Sequence, residues 1–330
     1  MTYEQLAEQI EQHAANRNIT VSTADISSDD LLSEVRKLRE LLSAQAPQEQ
    51  IIIPEAPYQN NDEAWTSLLM DIHKQEIITG KKVWSKEFDP VGRNIEIIPL
   101  GDLHVGHKAF NLSKLQAVID YILSTPDAYT ILVGDQAETA TKQSIGKGLY
   151  EEDHHLKQQI EILEKLLRPL ASTGKLLGIH PGNHEFRMEG LTGIDPMEWL
   201  ARWLEVPYLG YQAYFYWTVR GIPYTCWSSH GKGGAQTFGG KVNGAQKQRD
   251  VHNCDLSLSG HIHEPTSSHR SFFEIDPSTM QVVKKTQWFV TVGGFLDYFG
   301  AYPEMKALSP TATRPIRISL FADEKFIKID

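Results

Sequence analysis

The sequence predicts an α/β protein carrying a helical appendage at its N-terminus. Two patterns lead to that class. From Asn94 onward the chain repeats strand, loop and helix, and after Tyr208 its texture turns to paired strands. Hydrophobic residues make up 41% of the chain, which supplies the apolar surface a core needs, so global disorder is not expected.

Residues 1–45 read as a helical hairpin. Thr2 with Gln5 fits a capping box ahead of Tyr3, Leu6 and Ile10 on one face. A second helix starts near Ser27-Ser28, with Asp29 and Asp30 in the first turn, where carboxylates suit the helix dipole. Its Leu31, Val35, Leu38 and Leu42 make a heptad seam about two repeats long, too short for a stable coiled coil alone. The hairpin either packs on its own chain or serves self-association or docking of a partner, nucleic acid included. Residues 46–93 read as a linker and lead-in, with a short extended stretch at Ile51-Ile52-Ile53-Pro54 and a helix around Trp65 to Ile77.

Residues 94–330 form the expected main domain. Strands are predicted over Ile95 to Leu100, Tyr129 to Val133 and Lys175 to His180, with helices over Leu112 to Leu123 and Leu156 to Leu170 between them. Tyr211 to Arg220 and Tyr224 to Ser229 straddle Gly221-Ile222-Pro223 as a hairpin. Ser271 to Ile275 pairs with Val282 to Val292, and a last pair occupies Ile316 to Ile329.

Composition narrows the function. No apolar run reaches the length of a bilayer span, and the polar start Met1 to Gln5 lacks signal-peptide features, so a cytoplasmic protein is expected. A net charge of −10 argues against indiscriminate DNA binding, though not against a local basic groove. Cys226 and Cys254 read as buried small hydrophobes rather than a disulfide scaffold or a thiolate metal site. Thirteen histidines pose the useful question of which ones converge.

Asp-x-His occurs four times, at Asp71/His73, Asp102/His104, Asp153/His155 and Asp250/His252, so the motif alone decides nothing. Context separates them. Asp102 and His104 follow an apolar strand and Gly101, at the strand end where open α/β sheets place ligands. Extended residues two apart would also point the same way. Three further strands end in Gly134-Asp135, in Gly182-Asn183-His184-Glu185 and in Gly260-His261-Ile262-His263. Another, Tyr224 to Trp227, ends in Ser228-Ser229-His230. Five successive strand ends thus deliver Asp, His, Asp, Asn, His, His and His.

In this order and placement the motifs resemble those of the calcineurin-like metallophosphoesterases, over about residues 94 to 300. The resemblance implies two packed mixed β-sheets flanked by helices, in four layers, with two divalent metal ions. One ion would be held by Asp102, His104 and His263, the other by Asn183, His230 and His261. Asp135 would bridge both, and His184 would serve as the acid near the leaving group. A carboxylate bridging two cations among mixed N and O donors suits Mn²⁺, with Fe or Zn²⁺ as alternatives. Two such ions about 3.5–4 Å apart direct a bridging hydroxide at phosphorus, so no protein nucleophile is needed.

Other motifs carry less. Gly239-Gly240-Lys241 is not a Walker A loop, because Ala235 and Val242 occupy positions that need Gly and Ser or Thr. His154, His155 and His252 read as surface histidines on helices, His180 as a strand end, and Glu185 as orienting a histidine or a loop. His107, three residues past His104, is either a candidate substrate contact or a solvated loop histidine. Lys232 and Lys241 are candidate substrate contacts, since His230 to Arg249 is basic and glycine-rich inside an acidic protein.

The substrate class is read from departures. Protein Ser/Thr phosphatases of this kind follow Gly-Asp with an Asp-Arg-Gly turn and precede Gly-Asn-His-Glu with Leu-Arg. This chain has Gln136-Ala137-Glu138-Thr139 and His180-Pro181 there, and Asp102-Leu103-His104-Val105-Gly106 looks closer to the nuclease and phosphodiesterase branches. A phosphodiesterase or nuclease is therefore expected. The alternatives are a phosphomonoesterase, a nucleotide pyrophosphatase or a non-catalytic metal-binding scaffold.

Overall fold

A computed structural model describes residues 82–140, 152–233, 237–249, 252–299, 304 and 315–330. The helices expected over residues 1–45 and around Trp65 to Ile77 lie outside the described residues.

Among the described residues, eleven strands form two mixed sheets. In the five-stranded sheet, β2 (Asn94–Leu100), β3 (Ala128–Val133) and β4 (Leu176–His180) run parallel. Their other edge is extended antiparallel by β10 (Ile318–Phe321) and β11 (Ile327–Ile329). The six-stranded sheet takes the order β1 (Val83–Phe88), β5 (Gln212–Val219), β6 (Ile222–Ser229), β7 (Leu256–Ser259), β9 (Gln281–Thr291) and β8 (Thr266–Asp276). Each strand predicted from residue 95 onward is present within a few residues of its expected ends. β1 was not anticipated: it falls in the stretch taken as lead-in, yet pairs in parallel with β5 from Val83 to Phe88.

Alternation along the strands builds two cores. Ile95 and Ile97 of β2, with Ile131 and Val133 of β3, face the other sheet and meet Phe215, Trp217, Tyr224, Leu256 and Leu258. Ile98, Leu100 and Leu132 face the opposite way, into the helices α1 (Leu112–Ser124), α2 (Leu156–Ser172) and α4 (Pro196–Leu204). On α1 the buried residues are Leu115, Val118, Ile119 and Ile122, a single 3.6-residue stripe. Asn111 starts that helix by accepting from the amide of Lys114 at 2.8 Å. Burial of each such Leu or Ile contributes about 1.5–3 kcal/mol, and this fixes the strands whose ends build the site.

Two short helices were not predicted. α3 (Asn183–Thr192) begins on the Gly182-Asn183-His184-Glu185 motif itself, and α4 follows Asp195, whose carboxylate accepts from the amide of Met197 at 2.7 Å. A fifth helix, α5 (Phe238–Arg249), follows β6 after a loop. No helix among the described residues is long and apolar enough to cross a membrane.

Candidate metal centre

The carboxyl ends of β2, β3, β4, β6 and β7 converge, and loop hydrogen bonds tie them together. The amides of Asp102 and His104 donate to Gly134 O and Asp135 O at 2.9 and 3.0 Å, joining the β2 and β3 ends. The amide of His261 donates to the Asp102 carboxylate at 2.9 Å, which links the five-stranded sheet to the six-stranded one. The Gly260 amide donates to His230 O at 2.9 Å, linking the β6 and β7 ends.

All seven residues predicted as metal ligands meet in one place. Asp102, His104, Asp135 and His263 form one group of donor atoms and Asp135, His230 and His261 a second, every donor atom in a group lying within 4.8 Å of the others. Asn183 completes the second group, its Oδ1 lying 2.9 Å from His230 Nε2 and 2.7 Å from His261 Nδ1. Asp135 belongs to both.

Three of the four histidines, His104, His230 and His261, are aimed by their outer nitrogens. His104 Nδ1 bonds Glu138 Oε2 at 2.8 Å, which leaves Nε2 turned inward, 3.1 Å from His263 Nε2. His230 Nδ1 donates to Val133 O at 2.9 Å, and His261 Nε2 to Gly233 O at 2.9 Å. A ring nitrogen held by an outer acceptor while the other faces a cluster of donors is the arrangement of a metal-binding imidazole. The residues present therefore fit a pair of divalent cations in type and number, and three of the histidines fit in orientation.

One detail differs from expectation. Asp102 and His104 are not extended but left-handed, with φ of 50° and 52°. Asp135, His261 and His263 share that conformation, at 53°, 75° and 53°, so five of the seven predicted ligands hold a backbone shape that L-residues rarely adopt. Such strain costs about 1–3 kcal/mol per residue and persists only where the surrounding structure enforces it. The convergence thus comes from coiled loop backbones rather than from the pleat of a strand. Crowding explains the adjacent glycine: a Cβ on Gly182 would sit 2.1 Å from Asp135 Oδ1 and 2.2 Å from its amide nitrogen.

The charge pattern is polarised. Burial opposes ionisation of Asp135, but His230 and His184 overcome it and hold the carboxyl well below the usual range. Burial lifts Asp102 to about 7, although His230 and His104 pull it down. Burial would lower His104, and the Glu138 carboxylate instead raises it to about 9; Asp135 likewise lifts His230 to about 10. Burial and then His104 push His184 down to about 4.

His184 stands at the rim, its Nε2 3.9 Å from Asp135 Oδ2 and its Nδ1 donating to Glu138 O at 2.7 Å. Glu138, which no sequence motif singled out, also lies 3.6 Å from His184 Nδ1 and makes a third cluster with His104 and His184. Its only sequence signal is a carboxylate three residues past Asp135 on the same loop. Glu185 orients a loop, accepting from the amides of Gly182, Asp135 and Ala137 at 2.7, 3.2 and 2.8 Å.

Among the candidate substrate contacts, Lys232 is exposed. His107 is 7% exposed, with Nδ1 accepting from the Ala109 amide at 3.0 Å. Lys241 is 9% exposed and paired with Glu264 at 2.5 Å, so it joins α5 to the loop beyond His263. His154 and His155 are exposed as expected, but they precede α2 rather than lie on it. His252 departs from its expected place on a helix surface: it stacks on Trp227 at 4.2 Å and hydrogen-bonds Tyr214 Oη at 2.5 Å.

The calcineurin-like phosphoesterase family model matches residues 95–265, the segment that carries all seven converging residues. The chain belongs to that family. It is a metal-dependent phosphoester hydrolase with the two-sheet fold of the calcineurin-like phosphoesterases. Similar solved structures include a predicted phosphoesterase from Streptococcus pneumoniae TIGR4, at 14% identity over 73% of this chain and 90% of the other, with a TM-score of 0.33. A metallophosphoesterase from Sphaerobacter thermophilus shares 12% identity over 72% and 87%, with a TM-score of 0.35. The nuclease MPE of Pseudomonas putida shares 15% over 70% and 85%, with a TM-score of 0.29. No curated protein matches the chain.

Proposed function

We propose that this phosphoesterase hydrolyses phosphodiesters at a dinuclear centre, with a nucleotide or nucleic acid as the natural class of substrate. Asp102, His104 and His263 would hold one cation, and Asn183, His230 and His261 the other. The observation that carries this assignment is Asp135, whose carboxylate lies in both donor groups and so can be shared. Divalent cations, Mn²⁺ by preference among Mn²⁺, Fe and Zn²⁺, would supply an activated water and neutralise phosphoryl oxygens during in-line attack.

The chain's own residues supply the rest. Asp135 is fixed from behind by the His184 amide, which donates to its Oδ1 at 2.9 Å. Neutral His184 keeps its Nδ1 proton on Glu138 O and presents Nε2 toward the centre. A phosphoryl anion placed beside it would favour the charged ring, which then protonates the departing oxygen at Nε2. The diester preference rests on Asp102-Leu103-His104-Val105-Gly106, which looks closer to the nuclease and phosphodiesterase branches, while Gln136 to Thr139 and His180-Pro181 lack the arginines of the protein phosphatase branch.

Incubation of the Mn²⁺-loaded chain with bis-p-nitrophenyl phosphate, p-nitrophenyl phosphate and single-stranded DNA tests the assignment, with His184→Ala as the control impaired in chemistry. Diester or DNA cleavage that exceeds monoester turnover supports it. Monoester turnover alone would replace the diester class with a phosphomonoesterase.

A further inference from the structure

Two aromatic side chains, Phe186 on the helix that delivers Asn183 and Tyr211 at the start of the hairpin that delivers His230, have no part in the chemistry above. Phe186 lies one helical turn after Asn183 on α3, its amide donating to Gly182 O at 3.1 Å. Tyr211 immediately precedes β5. Gln212 and Ser229 are antiparallel partners, so Tyr211 enters the sheet beside the point where His230 leaves β6. The two rings meet edge to face, with centroids 4.8 Å apart and planes at 69°.

Tyr211 is held at several points. Its hydroxyl donates to Glu189 Oε2 at 3.2 Å, one turn beyond Phe186. The preceding carbonyl, Gly210 O, accepts from the buried His180 Nδ1 at 2.7 Å. A ring fixed by its edge, its hydroxyl and its backbone has little rotamer freedom left to lose on binding. It is nevertheless 58% exposed. An ordered, exposed aromatic face beside a phosphoester centre offers a stacking platform to a flat ring.

Resting on the phosphodiester assignment above, we infer that Phe186 and Tyr211 form a stacking subsite for an unpaired nucleobase carried by the scissile phosphodiester. Charge points the same way. At a net charge of −10 the chain gains little general attraction for a polyanion, so affinity must come from local contact, and stacking is the contact every base can make. A base inside a duplex has both faces covered and would not fit. The substrate class is therefore a single strand or a small nucleotide diester.

The test compares two esters with the same leaving group, p-nitrophenyl thymidine 5′-phosphate and methyl p-nitrophenyl phosphate, on the full chain with Mn²⁺. Tyr211→Ala is expected to lower kcat/KM for the thymidine ester about 5–100-fold, mainly through KM, the range that loss of one stacked base gives. The loss on the methyl ester should be at least about fivefold smaller, while Tyr211→Phe keeps the preference for thymidine and Phe186→Leu weakens it. Equal losses on both esters, or a Phe variant that behaves like the Ala variant, would overturn the subsite. Failure of the unaltered chain to turn over either ester would instead remove the phosphodiester assignment beneath it. Thymidylyl-thymidine against an oligothymidylate of about ten residues separates the sources: a larger Tyr211→Ala effect on the oligomer assigns the base to a strand, equal effects to a small nucleotide.

Discussion

The two donor groups are built alike inside and differently behind. In the first, His104 is backed by a carboxylate, Glu138, which can carry charge and can be removed by substitution. In the second, His230 and His261 are backed by the carbonyls of Val133 and Gly233, neutral acceptors that belong to the fold itself. Behind His230 lies His180, also neutral, bridging Gly210 O and Ser228 Oγ at 2.7 and 2.6 Å. A charged backing makes its histidine more basic and a stronger donor, whereas a carbonyl backing fixes direction with less effect on basicity. The difference predicts unequal ion affinities, with the second group depending more on the integrity of the sheets.

The largest effect should come from removing what the groups share. Asp135→Asn takes the common carboxylate from both, and metal counting on the purified chain should fall from about two ions to below about one. If two ions remain bound, the groups are independent.

Next comes acid. Burial lowers His180 to about 4 from an ordinary 6.5. The unfolded chain therefore binds more protons between those values, and the neutral backing contributes stability above about pH 6.5 that is lost as pH falls toward about 4. At about 1.36 kcal/mol per pH unit the loss approaches about 3 kcal/mol. Denaturant titrations from pH 7 to pH 4 should show a shallower decline for His180→Gln than for the unaltered chain. Identical slopes would mean that His180 does not govern this limb.

Glu138→Gln discriminates between the groups directly. It should weaken the first ion about 10–100-fold in a calorimetric Mn²⁺ titration and leave the second near its original affinity. Comparable weakening of both would erase the distinction. The smallest effect belongs to Ser228→Ala, which removes one hydroxyl from His180 Nε2 and should lower stability by about 1 kcal/mol, read by chemical denaturation. A loss of metal from that variant would show that the carbonyl-backed group is softer than its geometry suggests.

Much of this candidate centre is legible in the sequence, because each candidate ligand sits shortly after its own strand. An apolar run followed by Gly and a donor residue is a local pattern, and Gly134-Asp135 or Gly260-His261 shows it within a few residues. Glu138 escaped notice for the opposite reason. Its loop holds several polar side chains, and its contacts with His104 at 2.8 Å and His184 at 3.6 Å set it apart. β1 escaped too, since its neighbour β5 lies well over a hundred residues away and nothing nearby in the chain reports that pairing. The short helix α4 did carry a signal in Asp195-Pro196, an N-cap before a proline at the first turn, that went unread.

The order of residue types along the polypeptide therefore determined which donors would be offered, and at which strand ends. Packing decided how they meet. Left-handed backbones at five of the candidate ligands and the bond from the His261 amide to Asp102 exist only once two sheets are pressed together over a shared apolar core. Long-range burial supplies the free energy that holds such strained loops in place, and no short stretch of sequence encodes it.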